Sequence, residues 1–353
     1  MRPDTGYAGS NVPISATTFS GIRYNRSALC IRTALILLML IFVPFPLQAQ
    51  EIYLLGGILQ NTNDGKNSYS WQLEYIEELG DNLALGVTYL NEGHVPNHHR
   101  DGNALNLWTR TRLLDGRLSL AAGIGPYFYY DTMPDNSPKG YENDHGWGAL
   151  FSSSVTWQMD SRWLFQLRTN WVKNFDSFDS FSALAGIGYH FADPSAAEPV
   201  NRPSLQSGDK AKNRITLFAG QTIVNSLKSQ KSVALAVEYR RRIVPYVDWT
   251  GTWLYEGDDR LNRRNGFASE LWAVRDFLSD RLTLGIGGGV YFPIDERGIL
   301  KQSGINRTIC GILTLTSSYQ ILPPWDVRVS WNRVITDYDH DTDVLLGGVG
   351  YRF

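Results

Sequence analysis

Cysteine is almost absent from the chain, and charged residues are few. The 353 residues include two cysteines, Cys30 and Cys310, too few for a disulfide framework or a thiolate zinc site. Only 19% of residues are charged, the net charge is −2, and no basic block is present. This composition argues against a nucleic-acid partner, because such partners select strongly basic surfaces. The sequence also gives no indication of a cofactor.

The chain also lacks a hydrophobic run long enough for a transmembrane helix. Residues 34–47 carry no charge, but these 14 residues include Pro44 and Pro46, and a spanning helix needs about 20 residues. Arginines precede the run, and Leu47-Gln48-Ala49 follows it with the small-residue ending of a signal-peptidase site. We therefore interpret residues 1–49 as a secretory signal peptide, with an N-terminal membrane anchor as the alternative.

The apolar residues are abundant but dispersed. Hydrophobic residues make up 43% of the chain, yet the mean hydropathy is only −0.24. A bundle of membrane helices would be far more apolar on average. A transmembrane β-barrel can have a polar average, because one side chain in two faces lipid and the next faces the interior.

The mature chain contains an internal duplication. Residues 89–131 align without gaps on residues 253–295, with 17 identities in 43 positions. At an offset of 162, Gly188-Tyr189-His190-Phe191 aligns with Gly350-Tyr351-Arg352-Phe353. We predict a first repeat over residues 50–191, a periplasmic linker over 192–213, whose prolines and few apolar residues are typical of linkers, and a second repeat over 214–353.

Alternation of apolar and polar residues predicts eight strands in each repeat. In residues 69–75, for example, Tyr69, Trp71, Leu73 and Tyr75 share one face. The runs in the first repeat lie near 51–60, 68–78, 82–92, 103–114, 117–130, 147–158, 163–173 and 180–191. Tight turns alternate with longer polar loops at 61–67, 93–102, 131–146 and 174–179. Short turns at one end and longer loops at the other are typical of outer-membrane barrels.

The last residues carry a resemblance to a known class of proteins. The chain ends Val349-Gly350-Tyr351-Arg352-Phe353, and this terminal Phe with apolar or aromatic residues at alternate positions resembles the C-terminal signature of bacterial outer-membrane β-barrel proteins. The resemblance implies an integral protein of the Gram-negative outer membrane, with lipid and lipopolysaccharide as neighbours and recognition of Phe353 by the barrel-assembly machinery. The expected fold is all-β, with two tandem eight-stranded antiparallel barrels. One sixteen-stranded barrel is the alternative.

Small barrels of this architecture include lipid A palmitoyltransferases and lipid A deacylases. The present sequence is similar to them in architecture and in the polar residues near its outer loops, but it lacks the His-x-Ser pattern of the deacylases. The sequence therefore leaves three functions open. These are a structural, binding or anchoring protein of the cell envelope, a lipid A-acting acyl hydrolase or acyltransferase, and a passive porin-like channel.

Candidate site residues cluster in the loops that we expect at the outer rim. Half of the six histidines lie between residues 94 and 99, and histidine is the side chain most easily used as a base near neutral pH. The candidate catalytic residues are His94, His98, His99 and Asp131. Charged residues kept in both repeats could instead hold loops or bind anionic lipid phosphate. The candidate binding residues are Glu92, Arg100 and Asp101 in the first repeat and Glu256, Arg264 and Asp295 in the second. No metal site is expected.

Overall fold

The computed structural model describes residues 50–137, 139–191, 212–258, 263–278, 280–295 and 309–353. The predicted signal peptide and nearly all of the predicted linker lie outside these ranges. In the part of the chain that is described, we found no helix of the length and apolarity needed to cross a membrane.

The described residues form sixteen antiparallel strands. In the first half these are β1 (Gln50–Asn61), β2 (Asn67–Glu78), β3 (Leu83–Val95), β4 (His98–Leu113), β5 (Leu118–Pro134), β6 (Tyr141–Gln158), β7 (Trp163–Asn174) and β8 (Ser180–His190). In the second half they are β9 (Asn213–Val224), β10 (Lys231–Val244), β11 (Val247–Asp258), β12 (Arg263–Phe277), β13 (Leu282–Asp295), β14 (Cys310–Leu322), β15 (Trp325–Ile335) and β16 (Thr342–Arg352).

Each half closes on itself. Strand β1 pairs with β8 from Glu51 opposite His190 to Asn61 opposite Ser180. Strand β9 pairs with β16 in the same way, from Arg214 opposite Arg352 to Val224 opposite Thr342. The prediction of two eight-stranded barrels is confirmed, and the alternative of one sixteen-stranded barrel is wrong. We call the end of each barrel that carries the β1–β2 or β9–β10 connection its outer rim, and the opposite end its tight-turn end.

The outer surface of the barrels is apolar. Along β7, Trp163, Phe165, Leu167 and Trp171 point outward and are 42–50% exposed, whereas the alternate residues are buried. The same holds on β15, where Val327 and Val329 are exposed between buried Asp326, Arg328 and Ser330. An apolar outside with a polar inside is the reverse of a soluble barrel, and it is the architecture of an outer-membrane β-barrel protein.

The interior of the first barrel is filled by ionic side chains in three levels. At mid-height the Glu74 carboxylate pairs with Arg168 and accepts hydrogen bonds from Trp108 Nε1 at 3.1 Å and Thr88 Oγ1 at 2.9 Å. Near the tight-turn end, Arg110 bridges Glu51 and Glu78. At the outer rim, Arg100 pairs with Glu92.

The second barrel keeps the carboxylate at mid-height, but near its tight-turn end it carries a different set of ion pairs, in which Arg242 contacts Asp248 and Asp276. Glu238 occupies the position of Glu74, and it pairs with Arg328 and Arg240. Arg328 lies two residues before the position equivalent to Arg168, which is Ser330. The mid-height carboxylate is therefore kept, while its arginine partner has moved by one inward-facing position along the strand.

A buried tryptophan packs across each interior, and a glycine makes room for it. A Cβ atom added at Gly123 would lie 2.7 Å from the Trp108 ring, and one at Gly287 would lie 2.5 Å from the Trp272 ring. Contacts this short are forbidden, so the neighbouring strand must carry glycine at these points. Together with the ion pairs, Trp108 and Trp272 fill the two interiors, as expected for eight strands.

The strands at the outer rim are longer than the sequence predicts. Residues 93–102 and 131–146 were expected to form loops, but β3, β4, β5 and β6 continue through most of them. Pro96-Asn97 alone connects β3 to β4, and Asn97 has a positive φ of 67°, as position i+2 of a type II turn requires. These residues are polar because the hairpins extend beyond the apolar, lipid-facing surface of the barrel. There the backbone pairing of the strands continues, but the outward-facing side chains no longer need to be apolar.

We expect Arg168→Met to destabilise the first barrel strongly. The Glu74 carboxylate would remain fully buried without a cation, which costs about 3–5 kcal/mol. Urea unfolding in detergent micelles, followed by the mobility of the unheated protein on gels, measures the loss. Lys173→Met on the same strand is the matched control, because Lys173 is exposed and such pairs contribute about 0–1 kcal/mol. The double variant Arg168→Met/Glu74→Gln should recover most of the stability, and equal midpoints for all variants would refute the role of the pair.

Candidate functional site

The outer rim of the first barrel is closed by Glu92 and Arg100. The Arg100 guanidinium donates to both Glu92 oxygens, at 2.5 and 2.8 Å, and to Ser177 Oγ and the Phe178 carbonyl on the β7–β8 loop. The Phe178 ring covers the guanidinium at 3.5 Å. Arg100 is 1% exposed and Glu92 is fully buried. These bonds favour a role in holding the loop, and binding of lipid phosphate by Arg100 stays a prediction.

The second barrel contains the same arrangement. Arg264 donates to both Glu256 oxygens at 2.6–2.7 Å, and to Thr342 Oγ1, Tyr338 Oη and the His340 carbonyl. Asp295, the remaining predicted binding residue of this repeat, pairs through its backbone with Arg264, and its side chain lies outside the described part of the structure. Glu92–Arg100 and Glu256–Arg264 are therefore equivalent ion pairs at equivalent rims.

The three predicted histidines lie on the β3–β4 hairpin and form two separate contacts. His98 Nδ1 is 2.7 Å from Asp131 Oδ2, and the Asp131 carboxylate is buried. His94 Nδ1 is 2.9 Å from His99 Nε2, and the centroids of these two rings lie 3.8 Å apart with their planes tilted by 51°. The structure thus brings His98 and Asp131 together and places His94 and His99 apart from them.

The chemistry available to His98 depends on which group lies beside its imidazole. In nucleophilic catalysis the imidazole lies between the carboxylate and the hydroxyl that it activates. Here Ser177 Oγ lies 3.4 Å from Asp131 Oδ2, so the carboxylate lies between the hydroxyl and the imidazole. The arrangement can orient His98 as a base, but Ser177 is not placed to give its proton to that base.

Asp101 lies in a contact between the two barrels. It points outward from β4, where Arg333 of the second barrel contacts both of its oxygens at 2.7–3.0 Å. Arg333 Nε also lies 3.1 Å from Asp343 Oδ1, and Tyr89 Oη donates to Asp101 at 2.7 Å. Asp101 and Arg333 are 6% and 4% exposed. We call Asp101, Arg333 and Asp343 the outer clamp, because they join the two barrels near their outer rims.

A second contact joins the rims above the outer clamp. His145 Nε2 of β6 lies 2.5 Å from Asp341 Oδ2 in the β15–β16 loop, and Asn143 Nδ2 donates to the Asn225 carbonyl at 2.8 Å. Burial of Asp341 would by itself raise its pKa, but the His145 imidazole and the Thr336 backbone amide outweigh burial. The pKa of Asp341 therefore lies below its ordinary value, and the carboxylate stays charged in the contact.

A comparison of the two repeats contains a sequence signal for the contact between the barrels. At the offset of 162, Arg333 stands where the first repeat has Trp171, and Asp343 stands where it has Phe181. Trp171 and Phe181 are exposed on the apolar belt. Two outward-facing positions are thus aromatic in the first barrel and charged in the second, and this difference marks the face of the second barrel that contacts the first.

The comparisons with known proteins give structural neighbours only. No protein-family model matches the chain, and no curated protein matches it. The chain is similar to the N-terminal β-barrel domain of OprF from Pseudomonas aeruginosa, at 11% identity and a TM-score of 0.32 over 41% of this chain and 100% of that chain. The chain is also similar to Neisserial surface protein A, at 10% identity and a TM-score of 0.31 over 40% of this chain and 95% of that chain.

The third neighbour spans most of this chain. It is the toluene transporter TodX of Pseudomonas putida, at 9% identity and a TM-score of 0.24 over 88% of this chain and 90% of that chain. At such identities and scores, none of these neighbours assigns an activity or a ligand to the chain.

We expect Arg333→Ala to weaken the contact between the barrels. The variant leaves the buried Asp101 and the partly buried Asp343 without the guanidinium between them, at a cost of about 3–5 kcal/mol. A protease site placed in the 192–213 segment allows the folded protein to be cut in detergent, and co-purification of the two halves is then measured. The wild-type halves should stay together and the Arg333→Ala halves should separate. Arg241→Ala, at an exposed arginine of the same barrel, is the control, and equal co-purification of both variants would contradict the clamp.

Proposed function

We propose that the protein is an integral outer-membrane protein with a structural, binding or anchoring role in the cell envelope, and that its barrels do not conduct. The observation that carries the proposal is the pairing of an apolar outer surface with interiors filled by ion pairs and tryptophan. Glu74, Arg168 and Trp108 fill the first barrel at mid-height, and Glu238, Arg328 and Trp272 fill the second. An eight-stranded barrel filled in this way leaves no aqueous channel.

The proposal includes an orientation. The tight-turn ends, with the linker and both ends of the mature chain, would lie in the periplasm, and the rims would face outward, where lipopolysaccharide is the neighbouring lipid. The last strand supports this placement, because the Phe353 backbone pairs with Asn213 at 2.9 and 3.1 Å and its ring stacks on Tyr351 at the tight-turn end. Phe353 is 51% exposed and would be accessible to the barrel-assembly machinery.

Planar-bilayer recordings test the absence of conduction. We expect the purified full chain to give no stepwise conductance, because both interiors are blocked at mid-height by buried ion pairs. A porin in the same bilayer serves as the positive control, and fractionation of the envelope shows in parallel whether the protein is in the outer membrane. Regular conductance steps would overturn the proposal in favour of the channel, and recovery outside the outer-membrane fraction would overturn the localisation.

A lipid A-acting acyl enzyme is the second candidate function, and the contact between His98 and Asp131 is the observation that favours it. The proposed structural role predicts that mass spectra of lipid A are the same with the wild-type gene, without the gene and with His98→Ala. An acyl chain that is gained or lost with the gene, and that depends on His98, would instead support the enzyme. The second repeat has Asn262 at the position equivalent to His98, so an enzyme of this kind would use the first barrel alone.

A further inference from the structure

A large cleft lies between the two barrels, below the outer clamp. Its volume is about 1050 Å³, just above the range of about 300–1,000 Å³ for pockets that bind small molecules. The first barrel contributes Leu73, Leu85 and Val87 to its walls, and the second contributes Ile286, Leu315 and Val329. All six belong to the outward-facing apolar surfaces of their barrels, so the cleft lies at the level of the membrane hydrocarbon.

The two barrels contact each other at both ends of the cleft. At the outer end, Tyr89 packs against Trp331 with ring centroids 5.1 Å apart, next to the outer clamp. At the tight-turn end, Phe277 packs against Tyr75 and Phe191, and Arg275 lies 3.6 Å from Glu77. The barrels therefore touch at both ends and stay apart in the middle.

Two of the residues that form these end contacts, Arg275 and Trp331, are specific to the second barrel. The first repeat has Thr111 at the position of Arg275 and Thr169 at the position of Trp331. The middle of the same face carries small residues, Ala273 and Ser317. Large or charged side chains at the two ends of this face hold the barrels apart, and small side chains in its middle leave the gap open. In a face that packed closely, larger side chains would fill the gap.

Hydrocarbon is the material that fits this gap. Its aliphatic walls offer water too few polar partners, and a space beside the bilayer core is in contact with acyl chains. The charges at the two ends differ, which orients an occupant. The outer end carries two carboxylates, Asp101 and Asp343, around one arginine, whereas at the tight-turn end Arg275 lies 3.6 Å from a single carboxylate, Glu77, and stacks on Tyr246 at 4.3 Å. The excess of carboxylates disfavours a phosphate at the outer end, and at the tight-turn end Arg275, with one carboxylate beside it, is the cation that can donate to a phosphate.

We infer that the cleft between the barrels is a binding site for a phospholipid, whose acyl chains lie between the apolar walls and whose phosphate is bound by Arg275. The inference rests on the proposed function, because it requires the barrels to lie in the outer membrane with their tight-turn ends in the periplasm. The headgroup would then belong to the periplasmic leaflet, and the bound lipid would complete the contact between the two barrels.

Retention of lipid by the purified full chain tests this site. After extensive exchange into mild detergent, native mass spectrometry counts the phospholipids bound per protein. Ser317→Trp fills the middle of the cleft and should lower the retained phospholipid about tenfold or more, equivalent to about 1.4 kcal/mol. Val155→Trp is the matched control, because Val155 is the equivalent position of the first barrel and is 43% exposed. It should retain phospholipid as the wild type does.

Two further variants keep the test decisive. Ala273→Phe fills the cleft from β12, so that loss of lipid does not depend on one substitution, and gel mobility of the unheated protein shows that each variant is folded. Arg275→Ala should lower phospholipid retention and leave the clamp contact intact. Equal retention by Ser317→Trp and Val155→Trp, absence of bound lipid in the wild type, or recovery of lipopolysaccharide alone would each overturn the site. None of these results affects the conductance and fractionation measurements, so failure of the site is distinguishable from failure of the proposed function.

Discussion

A closed ring of eight strands encloses a space too narrow for bulk water, so every charge placed inside must find its counter-charge within that ring. Desolvation of an isolated carboxylate is costly, and paired charges of both signs therefore occur at mid-height and at the outer rim of each interior. Arg168 with Glu74 and Arg328 with Glu238 show that the requirement is for a pair, and that the exact strand position of the arginine is free to change. The tryptophans and glycines then adapt to the space that the pairs leave.

The same rule operates on the outside of the barrels, where the surrounding medium is hydrocarbon. An arginine on the lipid-facing surface near the bilayer centre costs about 2–4 kcal/mol, and less near the interfaces. Arg333 and Arg275 avoid this cost by lying near the ends of the apolar belt and by meeting carboxylates of the other barrel. The outward-facing charges thus define which faces of the barrels touch, much as the inward-facing charges define how each barrel is filled.

Much of this structure could be predicted from the sequence, since alternation, turn residues and duplication report directly on strands and their number. The pairing of β8 with β1 followed from the retained Tyr189-His190-Phe191 ending of the first repeat. The length of the outer hairpins could not be predicted, because polar residues such as His98 and Asp101 fit an extended strand above the membrane as well as a loop. The contact of Asp101 with Arg333 also escaped prediction, because these residues are 232 positions apart and belong to different barrels.

The outer clamp has a consequence for how many barrels can be joined. It is a heterologous contact, in which β4 of one barrel meets β15 of the other, and contacts of this type extend into filaments when both faces remain free on the product. Here the two faces that remain are not complementary. The first barrel has Trp171 where the clamp needs an arginine, and the second has Asn265 where it needs Asp101. Each of the two remaining faces therefore lacks the charged residue that a further clamp needs, and assembly through this contact ends at two barrels.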